Sequence, residues 1–132
     1  MSTILIVDDH APTRRSLCKL LKGAGYHVLP ASDAFEAMAA AKKLNPDLIL
    51  LDVMIPPMDG LTFLMLLRED MNNIPVILLT GLNDAQTLAR ARELGVKEYL
   101  IKAEYTPGQL LELVRKYTSQ VAGPAPQGAP NA

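Results

Sequence analysis

An α/β fold built on a parallel sheet with helices on both faces is what the apolar pattern of this chain dictates. Three observations carry it. Thr3–Val7, Leu48–Leu51 and Val76–Leu79 are apolar runs without alternation, bounded by turn residues, as in strands buried on both sides. Segments of helical periodicity separate the runs, so strand and helix alternate five times, the pattern of a parallel sheet with right-handed crossovers. Finally, the runs end abruptly on polar groups: Asp8-Asp9, Asp52, Thr80 and Lys102. In open α/β sheets, the carboxyl ends of the strands are where sites form.

The elements follow in order. After Thr3–Val7, Pro12 suits a first helical turn, and Leu17, Leu20 and Leu21 recur at helical spacing up to Gly25. Tyr26–Leu29 is a more polar strand, expected near an edge. Ser32 or Asp33 caps the next helix, with Glu36 at capping-box spacing from Asp33, and the helix stops before Pro46. Leu48–Leu51 then leads into Asp52 and the turn-rich stretch Pro56-Pro57-Met58-Asp59-Gly60. Proline cannot continue a central strand. Asp59 is read as the cap of a third helix from Gly60. Asn72-Asn73 is a turn, and Pro75 opens the strand Val76–Leu79. Asn83 or Asp84 caps a fourth helix through Leu94, which Gly95 ends. Glu98–Ile101 is the fifth strand. Pro107 begins a last helix whose Leu110, Leu113, Val114 and Tyr117 form one stripe. Residues 1–118 are therefore expected to form one domain, and the Pro/Gly/Ala-rich residues 119–132 a disordered tail or linker. The commonest five-stranded arrangement of this kind, the doubly wound flavodoxin-like (βα)5 order 2-1-3-4-5, places the ends of the first, third and fourth strands side by side.

Composition narrows the function. The chain has 132 residues, 49% hydrophobic and 20% charged, with a net charge of −1. That balance exerts no global pull toward nucleic acid or anionic membrane. The single cysteine, Cys18, excludes an internal disulfide and a cysteine metal cluster. Asp8 and Asp9 interrupt the first apolar run, against a signal peptide, and no stretch approaches the ~20 apolar residues of a membrane helix. A cytoplasmic protein is expected.

Asp8, Asp9, Asp52, Thr80 and Lys102 emerge on one sheet edge. Three carboxylates packed together repel, so one protonates or a cation joins them. Hard oxygen ligands suit Mg²⁺, with Mn²⁺ able to replace it. A metal and a lysine beside an aspartate suit phosphoryl transfer, neutralising charge on the phosphoryl oxygens while the carboxylate attacks phosphorus. Thr80 has a hydroxyl to donate.

In the acidic pair Asp8-Asp9, the stretch DVMIPPMDG at 52–60, Thr80-Gly81, and Tyr99 with Lys102, the chain resembles the receiver domain of two-component response regulators over roughly residues 1–118. The resemblance implies a signalling switch rather than an enzyme acting on other substrates, with Asp52 as phosphoacceptor from a histidine kinase or histidine phosphotransfer protein. Asp9, Asp52 and the Met54 carbonyl would ligate Mg²⁺, with Asp8 acting through water. Lys102 would pair with the phosphoryl oxygens, and Thr80 and Tyr99 would move as switch residues. Arg14, Leu17, Cys18, Leu21 and Ala103 would dock the phosphodonor. Output would leave through the face of the fourth helix, fifth strand and last helix, to an output domain or protein or to a second copy on phosphorylation.

There is one departure. The family usually follows its lysine with proline, often after a cis bond; here Ala103 follows Lys102, and a cis bond before a non-proline costs about 2.5–4 kcal/mol. A differently shaped Ala103–Thr106 loop is expected. Two other function classes are compatible with parts of this pattern. A phosphorylation-independent interaction or dimerisation module would keep the fold without the chemistry. A metal-dependent phosphatase would want an acid two residues after Asp52, where Met54 stands. Direct nucleic-acid binding has no basic stripe or helix-turn-helix behind it. His10 and His27 are expected to be ordinary loop and strand residues.

Overall fold

The computed structural model describes residues 2–55, 58–70, 73–81 and 85–122. The elements run β1 (Thr3–Val7), α1 (Ala11–Gly23), β2 (His27–Ala31), α2 (Ala34–Leu44), β3 (Leu48–Asp52), β4 (Met54–Ile55), β5 (Met58–Asp59), α3 (Gly60–Asp70), β6 (Val76–Thr80), α4 (Ala85–Glu93), β7 (Val96–Ile101) and α5 (Pro107–Ala122). The five long strands form one sheet in the order β2-β1-β3-β6-β7, every pairing parallel. With the short β4–β5 hairpin set aside, this is the expected 2-1-3-4-5 arrangement.

Apolar runs without alternation become central strands because each face has its own core. Leu5, Val7, Ile49, Leu51, Val76 and Leu78 point to one side, against Ala34, Ala37 and Ala41 of α2, Phe63, Leu64 and Leu67 of α3, and Leu88 of α4. Ile4, Ile6, Leu48, Leu50, Ile77 and Leu79 point to the other, against Leu17 and Leu21 of α1 and Leu110, Val114 and Tyr117 of α5. Alternate residues thus serve opposite layers, and no polar face remains.

The helix ends follow their chemistry. The Asp33 carboxylate accepts from Glu36 N at 2.7 Å, and Glu36 Oε1 reaches back to Ser32 N at 2.6 Å. The reciprocal bond therefore lands one residue before the cap. Asn45 ends α2 in the left-handed region at φ 50°, just ahead of Pro46. Asp59 caps α3 through Thr62 N at 2.8 Å, as expected.

Several boundaries differ from the sequence reading. β2 runs from His27 to Ala31, through Pro30. An edge strand tolerates this, since the missing N–H faces no partner. β7 begins at Val96, two residues before Glu98, through a register irregularity opposite Val76/Ile77 that leaves Lys97 as the extra residue. The β4–β5 hairpin was not anticipated. α5 continues through Ala122, beyond the expected end at Thr118, so residues 119–122 are helical rather than tail. The expected features at Pro56-Pro57, Asn72, Asn83-Asp84 and the tail from 123 lie outside the described residues. Among those described, no helix is long and apolar enough to cross a membrane.

Candidate functional site

The sheet register brings the chemistry-bearing residues to one edge. Val7 pairs with Leu51, Asp52 with Leu79, and Thr80 with Ile101, so Asp8, Asp52, Thr80 and Lys102 leave neighbouring strands at nearly the same height. Lys102 N donates to Thr80 O at 2.7 Å, which continues the ladder one step and fixes the lysine beside the threonine.

Asp8 and Asp52 are buried, at 0% and 5% exposure, while Asp9 is exposed. Lys102 Nζ lies 3.0 Å from Asp8 Oδ2 and 3.0 Å from Asp52 Oδ2. The other oxygens are engaged as well: Asp8 Oδ1 accepts from His10 N at 2.9 Å, and Asp52 Oδ1 from Met54 N at 3.1 Å. Arg14 donates to the Asp8 carbonyl at 2.7 Å, anchoring the first turns of α1 to the site. His10 is that helix's N-cap, with Nδ1 2.7 Å from Thr13 Oγ1.

One ammonium shared by two buried carboxylates leaves negative charge in excess. Burial raises the Asp52 pKa above the ordinary carboxylate value and the Asp8 charge adds to it, against the opposing pull of Lys102 and the Met54 N–H. For Lys102, burial pulls the pKa down, but the bonds to Asp52 and Asp8 outweigh it and the net direction is up. Two buried carboxylates against one ammonium give the pocket a net charge that attracts a further cation. Oxygens of Asp8, Asp9 and Asp52 come within 4.8 Å of one another. Three hard oxygen donors, one of them open to water, fit Mg²⁺ or Mn²⁺.

The remaining expected residues fall in different places. Thr80 is buried at the end of β6. Tyr99 is half-buried against the α2–α3–α4 layer, with the Arg92 guanidinium 5.9 Å from its ring. Arg14 and Cys18 are half-buried on α1, and Ala103 is exposed. Leu17 and Leu21 are corrections as docking residues: at 4% and 0% exposure they face the sheet, and the core takes their whole surface.

Gly60 is the residue that the sequence reading undervalued. A Cβ there would meet Asp52 O at 2.7 Å and Val53 Cα at 2.9 Å, both backbone atoms. Gly60 N also donates to Val53 O. The glycine thus follows the paired strands β4 and β5 and packs against the backbone of Asp52 and Val53. Its signal in the sequence is the Asp59-Gly60 pair that ends the DVMIPPMDG stretch, which by itself marks only a turn and a helix start. Tyr105 is a second such residue, half-buried against the α1–α5 layer, with burial raising its hydroxyl pKa.

Comparison with known proteins agrees with this geometry. The response regulator receiver domain family matches residues 4–115. A probable transcriptional regulator, ycf27, of Porphyridium aerugineum is 36% identical over 89% of this chain and 48% of its own length. The DNA-binding response regulator MtrA of Mycolicibacterium paratuberculosis is 35% identical over 85% of this chain and 49% of its own. The chain spans about half the length of these curated relatives. Among solved structures, a CheY-like receiver domain protein from Methanospirillum hungatei superposes with a TM-score of 0.86 at 27% identity, covering 91% of this chain and 95% of that one. The chemotaxis protein CheY4 of Vibrio cholerae gives 0.83 at 30% identity, with 89% and 98% covered. A carboxylate cluster on a 2-1-3-4-5 sheet, with its lysine in place and a family match across most of its length, makes this chain a member of the response regulator receiver domain family of two-component signalling.

Proposed function

We propose that Asp52 accepts a phosphoryl group from a histidine kinase or histidine phosphotransfer protein, and that the chain catalyses only this transfer and the later hydrolysis of the acyl phosphate, in which water takes the phosphoryl group as inorganic phosphate and the carboxylate is regained. The observation that carries the reading is the pocket around Asp52: one carboxylate oxygen is held by Met54 N and the other faces Lys102 Nζ at 3.0 Å. A carboxylate oxygen attacks phosphorus in line, the phosphorus–nitrogen bond of the donor imidazole breaks, and the nitrogen keeps the electron pair and takes up a proton. The product is an acyl phosphate. Lys102 moves from the free carboxylate to the phosphoryl oxygens, and the Thr80 hydroxyl donates to one of them. Asp8, Asp9, Asp52 and the Met54 carbonyl would hold Mg²⁺ or Mn²⁺, which when bound neutralises charge on the phosphoryl oxygens. The added charge, about −1.5 to −2, draws Thr80 and Tyr99 toward the site and changes the α4–β7–α5 face. That face then serves an output domain, a downstream protein or a second copy.

Intact mass with acetyl phosphate and Mg²⁺ tests the reading. A single phosphoryl adduct is expected on the wild type and none on Asp52→Asn. An unmodified wild type under saturating donor would sink it.

A further inference from the structure

The large apolar side chains left exposed among the described residues are Phe35, Leu44, Met54, Met65 and Leu66. Four stand on α2 or α3 and one on the hairpin before α3, and none on α1, α4 or α5. Scattered singly, such residues are ordinary surface. Two of them are not scattered. Phe35 lies seven residues before Lys42 on α2, and Leu66 lies four before Asp70 on α3, so each shares a helix side with one member of the Lys42–Asp70 ion pair. That pair, at 3.3 Å, spans the seam between the two helices. Phe35, at 68% exposure, and Leu66, at 41%, therefore border one seam, over the half-buried Met38. Charge marks the end of the seam away from the site. Lys42 and Lys43 fall in the last turn of α2, and Glu69 and Asp70 end α3. Acids at a helix C-terminus meet the negative end of its dipole, so this end of α3 attracts cations. Lys42 supplies one to Asp70. Arg68, in the same turn, donates instead to the carbonyls of Ile74 and Leu94. Among the described residues no ion pair involves Glu69 or Lys43, and both are exposed.

We infer that the α2–α3 face binds a second copy of this chain, with or without a phosphoryl group on Asp52. The face carries both signs side by side, a basic wall on α2 and an acidic wall on α3 at one height. Both helices start at the sheet edge that carries the site and run in the same direction. A two-fold axis along the seam sets α2 of each copy against α3 of the other at the same height. Lys43 of each copy then faces Glu69 of the other, and the contact forms twice. Leu66 meets the small Ala39, and Phe35 comes to the level of Thr62. An axis across the seam would instead set Lys43 against Lys43 or against Phe35. A lipid surface or a nucleic acid would match only the basic wall. The apolar area is small, so the association is weak. It lies apart from the α4–β7–α5 face, goes beyond the reading of Asp52 and does not depend on it.

Sedimentation velocity on the 132-residue chain, without Mg²⁺ or phosphodonor, tests this. A concentration-dependent shift from monomer to dimer is expected. Lys43→Glu and Glu69→Lys each put like charges into both contacts, and each should raise the dimer dissociation constant roughly tenfold or more. An equimolar mixture of the two variants should regain wild-type association, because each contact between them is again a lysine against a glutamate. Phe35→Ser should weaken association with no change of charge. Urea midpoints near the wild type show that the variants fold. If a charge-reversal variant does not fold, Phe35→Ser carries the test, with equal association again decisive. A wild type that stays monomeric up to about 1 mM, single variants that associate like the wild type, or a mixture no stronger than its components would overturn the inference. So would a dimer that forms only with beryllofluoride and Mg²⁺, since that dimer needs the phosphorylated state. Acetyl phosphate labelling is a separate readout: its absence would remove the acceptor reading and leave this dimer standing.

Discussion

Two loops flank the pocket, and they are held in opposite ways. The loop after β3 is fixed from inside. Asp52 caps Met54 N, Gly60 sits against the backbone of Asp52 and Val53, and Asp59 caps α3. The loop after β7 is fixed from its ends. Lys102 N continues the ladder to Thr80 O at 2.7 Å, and Glu104 N closes a turn on Ile101 O at 2.9 Å. Beyond it, Thr106 and Gln109 form a reciprocal cap, with bonds of 2.8 and 3.2 Å. At Gly60 the loop after β3 has no room for an added carbon, whereas the lysine's loop is set by its anchors and leaves Ala103 and Glu104 exposed. This is why alanine can stand where the family usually has proline. The lysine's position comes from β7 and α5, not from the residue that follows it.

Substitutions can break this contrast. The largest effect on stability is expected from Lys102→Met in metal-free buffer. Removing one partner of a buried charge cluster typically costs about 3–5 kcal/mol, read as a fall in the urea midpoint. Mg²⁺ should restore more stability to this variant than to the wild type. Next comes Gly60→Ala, where overpacking against backbone should cost about 1–3 kcal/mol and slow acetyl phosphate labelling, because Asp52 shifts. Ala103→Gly, in the other loop, should leave labelling within twofold of wild type; a loss as large as that of Gly60→Ala would end the contrast. Thr106→Ala removes a cap and should cost about 1 kcal/mol by the same measurement.

The smallest expected effect lies farther down α5. Tyr117 donates to Glu98 Oε2 at 2.7 Å, and burial followed by the Glu98 contact pushes its pKa up to about 12 from an ordinary 10.0. The folded state therefore holds this proton more tightly than the unfolded chain. The resulting stability is complete below pH 10.0 and is lost as pH rises toward about 12. Tyr117→Phe should flatten that decline in urea midpoints.

Most of the fold was legible because the strands announce themselves. Leu48–Leu51 and Val76–Leu79 have no polar face, and a run of that kind has few other homes. The polar strand ends were equally plain, and the register then gathers Asp8, Asp52, Thr80 and Lys102. What escaped was whatever depends on three-dimensional proximity. Leu17 and Leu21 share a helix with Arg14, but only packing decides which side of α1 faces the sheet. Gly60 reads like any turn glycine until the Asp52 carbonyl is seen 2.7 Å from its missing Cβ. The start of β7 at Val96 depends on an irregularity opposite Val76, for which Lys97 gives no local sign.

The position of Lys102 has a consequence for biogenesis. Many small metal sites assemble only when the ion arrives, because their ligands repel one another without it. Here the chain brings its own cation, 3.0 Å from each of two buried carboxylates. Newly made protein can therefore fold to completion before it meets any divalent ion. On the proposed reading of the site, the supply of that ion would govern when the domain signals, not whether it exists.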